Sequence, residues 1–121
     1  MPVLARIAPE LPSADLNAGV AYYQQKLGFK VALWLPENEY AIVERDGVAI
    51  HLFTHRGPRP SAMGVHIFTS DLDHFFTELQ NSGATITQEI ERKPWDNRDF
   101  RVRDDFGNEL KFTESLEENE T

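Results

Sequence analysis

The sequence predicts an α+β fold of two βαβββ modules that associate into a curved mixed sheet with an open concave face. Three observations carry the prediction. The chain contains an internal repeat, its hydrophobic period passes from helical to strand-like twice in the same order, and its 121 residues hold one compact domain.

Residues 3–29 run from an apolar stretch through a Ser13-Ala14-Asp15-Leu16 helix start and an amphipathic segment to Gly28. Residues 63–84 repeat that series through Ser70-Asp71-Leu72 to Gly83. The first strand is expected over 3–8. The first helix follows from the stripe Leu16, Val20, Tyr23, Gln24 and Leu27, with Ser13 as N-cap and Gly28 as the left-handed residue after its end. The period then falls to two, giving strands over 30–35, 40–44 and 48–54, the last two joined by Asp46-Gly47. In the second half the strand over 64–68 leads to a helix with the stripe Leu72, Phe75, Phe76 and Leu79, capped by Ser70 and Gly83. Strands over 85–90, 100–103 and 109–113 complete it, with Phe106-Gly107-Asn108 turning into the last. The segment HRGPRPSA breaks both periods. The expected organisation is module 1 over 1–55, a linker at 56–61, module 2 over 62–114 and a frayed acidic tail at 115–121. One helix cannot cover both faces of a four-stranded sheet, so the modules must pack together or against another chain.

Twelve basic against twenty acidic residues leave a formal charge of −8, which argues against a nucleic-acid partner. Four acids, Glu114, Glu117, Glu118 and Glu120, fall in the last eight residues, so total charge overstates the attraction for a cation. The sequence contains no cysteine, which excludes disulfides, thiolate metal sites and cysteine nucleophiles. The opening MPVLARIAPELP has no long apolar run behind a basic stretch, and no run of about 18 apolar residues occurs. A cytoplasmic protein without membrane insertion is therefore expected. No Ser-His-Asp arrangement, phosphate loop or HExxH appears.

Paired βαβββ modules with Leu27-Gly28-Phe29 closing the first helix and D-x-x-G-N at Asp104 to Asn108 opening the last strand resemble the vicinal oxygen chelate superfamily. That group includes glyoxalase I, extradiol dioxygenases, and fosfomycin and bleomycin resistance proteins, and its members share a fold but not a reaction. The resemblance implies metal-ligand positions seven residues before each helix-start Asp and four after each closing-turn glycine. They hold Ala8, Gly64, His51 and Lys111 here, and only His51 is a ligand type. The implied reading is no metal, no cofactor and no catalytic residue. The alternative is a metal-dependent lyase or dioxygenase using His51, His66 and Glu109.

The stretch KPWDNRDFRVRDDFGNELKF is similar to the bleomycin resistance branch through Pro94, Trp95, Arg98, Phe100, Asp104, Gly107 and Asn108. It departs from that branch at Asp96-Asn97 and Asp105, and His66 and Phe68 stand where the branch carries a tryptophan pair. The resemblance implies a homodimer that sequesters a cationic, aromatic glycopeptide antibiotic in clefts between its chains. Trp34, Tyr40, Phe53, Phe68 and Trp95 would then stack on ligand rings, with His51, His66 and Arg98 beside them. Glu37, Glu39, Asp96 and Asp99 would hold the cationic tail. Each residue also has a plainer reading. The plainer readings are a hairpin cap for Trp34 and Tyr40, sheet packing for Phe68, a hydrogen-bonded structural role for His51, intramolecular packing for Trp95 and surface ion pairs for Arg98. A binder of some other amphipathic cation would leave the same traces.

Overall fold

The computed structural model describes residues 1–58, 62–94 and 97–114. Its elements are β1 (Glu10–Ser13), α1 (Leu16–Lys26), β2 (Lys30–Leu35), a 3-10 turn (Pro36–Asn38), β3 (Tyr40–Arg45) and β4 (Val48–Thr54). The second set is β5 (Gly64–Thr69), α2 (Leu72–Ser82), β6 (Thr85–Arg92), β7 (Arg98–Arg103) and β8 (Glu109–Glu114). Strand order is β1-β4-β3-β2 in sheet A and β5-β8-β7-β6 in sheet B. In each sheet the first strand runs parallel to the last and the other pairs are antiparallel. This is the duplicated α+β architecture expected, with the two modules as two separate sheets. No described helix is long and apolar enough to cross a membrane.

The first strand lies at Glu10–Ser13, not at 3–8. Pro9 explains the shift. Its carbonyl accepts from His51 N at 3.0 Å, but proline has no N–H with which to continue a ladder toward the N-terminus. The residues before it lie outside any strand, with Leu4 and Ile7 almost fully exposed. The helix caps also fall later than expected, at Asp15 and Asp71. The Asp15 carboxylate accepts from Asn17 N at 3.1 Å, while Ser13 Oγ donates to Asp15 O. Gly28 and Gly83 take the left-handed conformation, with φ of 75° and 85°.

Alternation along the strands buries Leu11, Ala41, Val43, Ile50 and Leu52 from sheet A and Phe100, Val102, Leu110 and Phe112 from sheet B in one core. Leu16, Val20, Tyr23 and Leu27 of α1 and Leu72 and Leu79 of α2 join it. Gln24, expected on the α1 stripe, is exposed. Each helix lies on its own sheet, so both helix-covered faces turn toward the shared core and the other face of each sheet stays open.

Polar ties fix how the modules meet. Tyr23 of α1 donates its hydroxyl to Asp104 Oδ2 at 2.7 Å, and Tyr22 Oη donates to Arg103 O and accepts from Thr85 N. The other Asp104 oxygen accepts from the backbone N–H groups of Phe106, Gly107 and Asn108. Asn108, fully buried, donates through Nδ2 to Asp104 Oδ2 and to Pro12 O, and its Oδ1 accepts from Met63 N. On the opposite side Arg45 reaches from β3 to Glu78 of α2 and lies over the Phe75 ring.

Truncating Asn108 strands buried partners in both modules. Asn108→Ala should lower unfolding stability by about 3 kcal/mol, read by urea denaturation. Asp105 gives a pH-dependent test. Partial loss of solvent around a side chain that still reaches the surface, then the Asp104 charge, pushes its carboxyl up to about 6, with Ser13 Oγ 3.4 Å away and Asp15 adding further repulsion. A native-state value above that of the unfolded chain means that stability is lost as pH rises through about 4 to 6. Asp105→Asn should therefore be more stable than the parent above about pH 6, with the difference closing below about pH 4, measured as Tm against pH.

Candidate functional site

The strand registers define the open faces, because directly paired residues share a side of the sheet. One row on sheet A runs Glu10, His51, Ile42, Leu33 and the next runs Pro12, Phe53, Tyr40, Leu35. On sheet B one row runs His66, Lys111, Arg101, Gln88 and another includes Phe68, Thr113 and Asp99. Among the expected site residues, Tyr40, His51 and Phe53 thus share the open face of sheet A, and His66, Phe68 and Asp99 share that of sheet B.

On sheet A the Tyr40 hydroxyl lies 2.6 Å from Glu10 Oε2 and 2.7 Å from His51 Nδ1, and its ring meets the His51 imidazole edge-on with centroids 5.7 Å apart. Loss of solvent, then the hydrogen bond to the Glu10 carboxylate, pushes Tyr40 up to about 12, so it stays a neutral phenol at physiological pH. Sequence reasoning missed Glu10. The shifted first strand is what places it beside His51, with Leu11 turned into the core.

On sheet B the His66 and Phe68 rings stack at 6.4 Å with planes 19° apart, and Phe68 is 68% exposed. A ring so open on a strand edge offers a stacking surface. A cleft of about 330 Å³ bordered by Arg45, Phe68, His74 and Glu78 lies on one side of it. Another of about 280 Å³ bordered by Arg6, Ile7, His66 and Phe68 lies on the other.

The remaining expected residues lie elsewhere. A bulge between Val31 and Leu33 reverses the parity of β2, so Trp34 pairs with the inward-facing Ala41 and lines a groove with Asn17, Val20 and Ala21 of α1. It does not share the face of Tyr40. Arg98 also points to the helix side, where it clasps Asp73 of α2 at 3.0 Å and Glu114 of β8 at 2.7 Å and holds both carboxyls below their usual range. Glu39 pairs with Arg56, and Glu37 stands exposed on the 3-10 turn. Asp99, only 3% exposed, accepts from Gln88 Nε2 at 2.8 Å and lies 3.5 Å from Arg101 and 3.7 Å from Lys93. Its charge is already engaged within the chain. Trp95 and Asp96 fall outside the described residues, as does the acidic tail.

The residues do not fit the divalent metal that the fold implies. Ala8 lies in the unpaired segment and Gly64 has no donor; the residues that face His51 and Lys111 across the parallel strand pairs are Glu10 and His66, and Lys111 brings a cation within 3.8 Å of Glu109. The set His51, His66 and Glu109 is divided between two sheets, and no group of three His, Cys, Asp or Glu able to hold a metal occurs among the described residues.

The profile of the Glyoxalase/Bleomycin resistance protein/Dioxygenase superfamily matches residues 4–112. Among solved structures, a bleomycin resistance determinant encoded on the transposon Tn5 superposes with a TM-score of 0.81 at 21% identity, over 93% of this chain and 98% of that one. The bleomycin-binding protein from Streptomyces verticillus, complexed with copper(II)-bleomycin, gives 0.77 at 22% identity over 95% and 99%. A lactoylglutathione lyase from Agrobacterium tumefaciens gives 0.76 at 20% over 95% and 96%. At these identities the likeness is one of fold. No curated protein is a significant match to the chain.

Placing Arg98 as a clasp between α2 and sheet B yields a direct test. Arg98→Ala should cost about 1 kcal/mol of stability in urea, a loss that shrinks as salt screens the pair.

Proposed function

The chain belongs to the glyoxalase/bleomycin resistance protein/dioxygenase superfamily, and from that premise we propose that it is a non-enzymatic binding protein that sequesters a cationic, aromatic glycopeptide of the bleomycin class. One observation carries the reading. The open faces present aromatic and imidazole surfaces, Tyr40, His51 and Phe53 on one sheet and stacked His66 and Phe68 on the other, where a metal enzyme needs a donor set. Flat heteroaromatic rings stack on such surfaces, and the ring quadrupoles attract a cationic tail. Glu10 supplies an anion on the same face as Tyr40 and His51. The copper(II)-bleomycin complex of a protein sharing the fold supports the ligand class.

In this proposal the protein acts as a homodimer with clefts built from both chains. The unpaired N-terminal segment, with Val3, Leu4 and Ile7 exposed, supports that assembly, because apolar side chains left in water favour a partner surface. The absence of cysteine fits a reducing cytoplasm.

Isothermal titration with copper(II)-loaded bleomycin tests the ligand. Saturable binding is expected, and Phe68→Ala should weaken it about tenfold, equivalent to roughly 1.4 kcal/mol. No measurable heat at micromolar protein overturns the antibiotic reading and leaves the fold untouched. Stoichiometric metal surviving dialysis would move the assignment toward the lyase side of the superfamily.

A further inference from the structure

The direction of the hydrogen-bond chain on sheet A follows from counting protons. The Tyr40 oxygen lies 2.6 Å from Glu10 Oε2 and 2.7 Å from His51 Nδ1. Each contact needs a hydrogen between its heavy atoms, and tyrosine brings one. The second must come from Glu10 or His51. The Tyr40 hydroxyl is the donor in its contact with Glu10 Oε2, which uses tyrosine's one hydrogen and leaves Glu10 as the acceptor. Tyr40 therefore donates to Glu10, and His51 donates from Nδ1 to the Tyr40 oxygen. In the neutral imidazole the lone pair then resides on Nε2, which has no hydrogen-bond partner among the described residues and is not sealed from solvent.

We propose that Glu10, acting through Tyr40, holds neutral His51 in its Nδ1–H tautomer and so makes Nε2 a fixed hydrogen-bond acceptor on the open face of sheet A, matched to a cationic N–H donor of the ligand. Glu10 and Tyr40 are positioning residues, and His51 makes the contact. An acceptor lone pair beside a carboxylate favours a donor that also carries positive charge, since charge-assisted hydrogen bonds are the stronger kind. Only the ligand part of the inference rests on the binding reading above. The tautomer belongs to the free protein.

Long-range ¹H–¹⁵N spectra of histidine-labelled protein at about pH 8 test both parts. The expected result is a pyrrole-type Nδ1 and a pyridine-type Nε2 for His51. Tyr40→Phe and the exposed-site variant Glu10→Ala should both move it toward the Nε2–H tautomer that an unrestrained histidine favours. A pyridine-type Nδ1 in the parent protein, or an unchanged tautomer in Glu10→Ala, overturns the proposal. Metal-free bleomycin is then added. An upfield shift of His51 Nε2 supports the acceptor role, whereas binding heat with Nε2 unmoved overturns it. Neither heat nor shift, with the Nδ1–H tautomer intact, sinks the bleomycin reading alone and upholds the positioning of His51.

Discussion

A single buried carboxylate, that of Asp104, sets the relation between the two halves of this molecule. It collects three backbone N–H groups, the Asn108 amide and the Tyr23 hydroxyl, so the turn into β8, the helix α1 and, through Asn108, the strand β1 share one hydrogen-bonded node. Hydrophobic burial is non-directional and would let two apolar faces slide over one another. Fully satisfied polar networks specify one arrangement, and leaving any member unpaired is costly. Packing supplies the adhesion here and Asp104 supplies the register.

That register determines what the open faces can do. With the helices turned toward the shared core, the two sheets offer their other sides to solvent, and the two sides differ chemically. Sheet A carries a carboxylate, a phenol and an imidazole in hydrogen-bond contact, all capable of accepting from a ligand. Sheet B places Lys111 and Arg101 in the row of His66, with carboxylates close enough to balance them. The duplicated frame therefore carries two unlike surfaces. Side-chain identity at matching strand positions makes the difference, since the backbone plan is the same in both.

Much of this was legible in the sequence because it rests on patterns that local physics enforces. The two helices and seven of the eight strands follow from periodicity and from the turn glycines Gly28, Gly47, Gly83 and Gly107, all of which take positive φ. The failures share a cause, which is that parity and pairing are tertiary properties. Val3 to Ala8 look like a strand until Pro9 interrupts the ladder. Trp34 looks like a neighbour of Tyr40 until one bulge reverses its strand, and a sequence records no bulge when both flanking residues are apolar. Glu10 went unseen for the first reason. Arg98 and Asp99 were expected beside a ligand, but their partners, Asp73 and Glu114 for one and Gln88 and Arg101 for the other, come from distant segments or across a strand pair.

The unladdered N-terminal segment has a consequence for how long the chain survives among proteases. A protease needs an accessible backbone free of ladder hydrogen bonds, and the stretch before Pro9 lies outside any helix or strand, with Arg6 exposed between Leu4 and Ile7. A trypsin-type enzyme meets that bond before it meets any in the sheets. Its cleavage rate becomes a clock for whatever covers the segment, fast while the arm stands free and slow once another surface has taken it in.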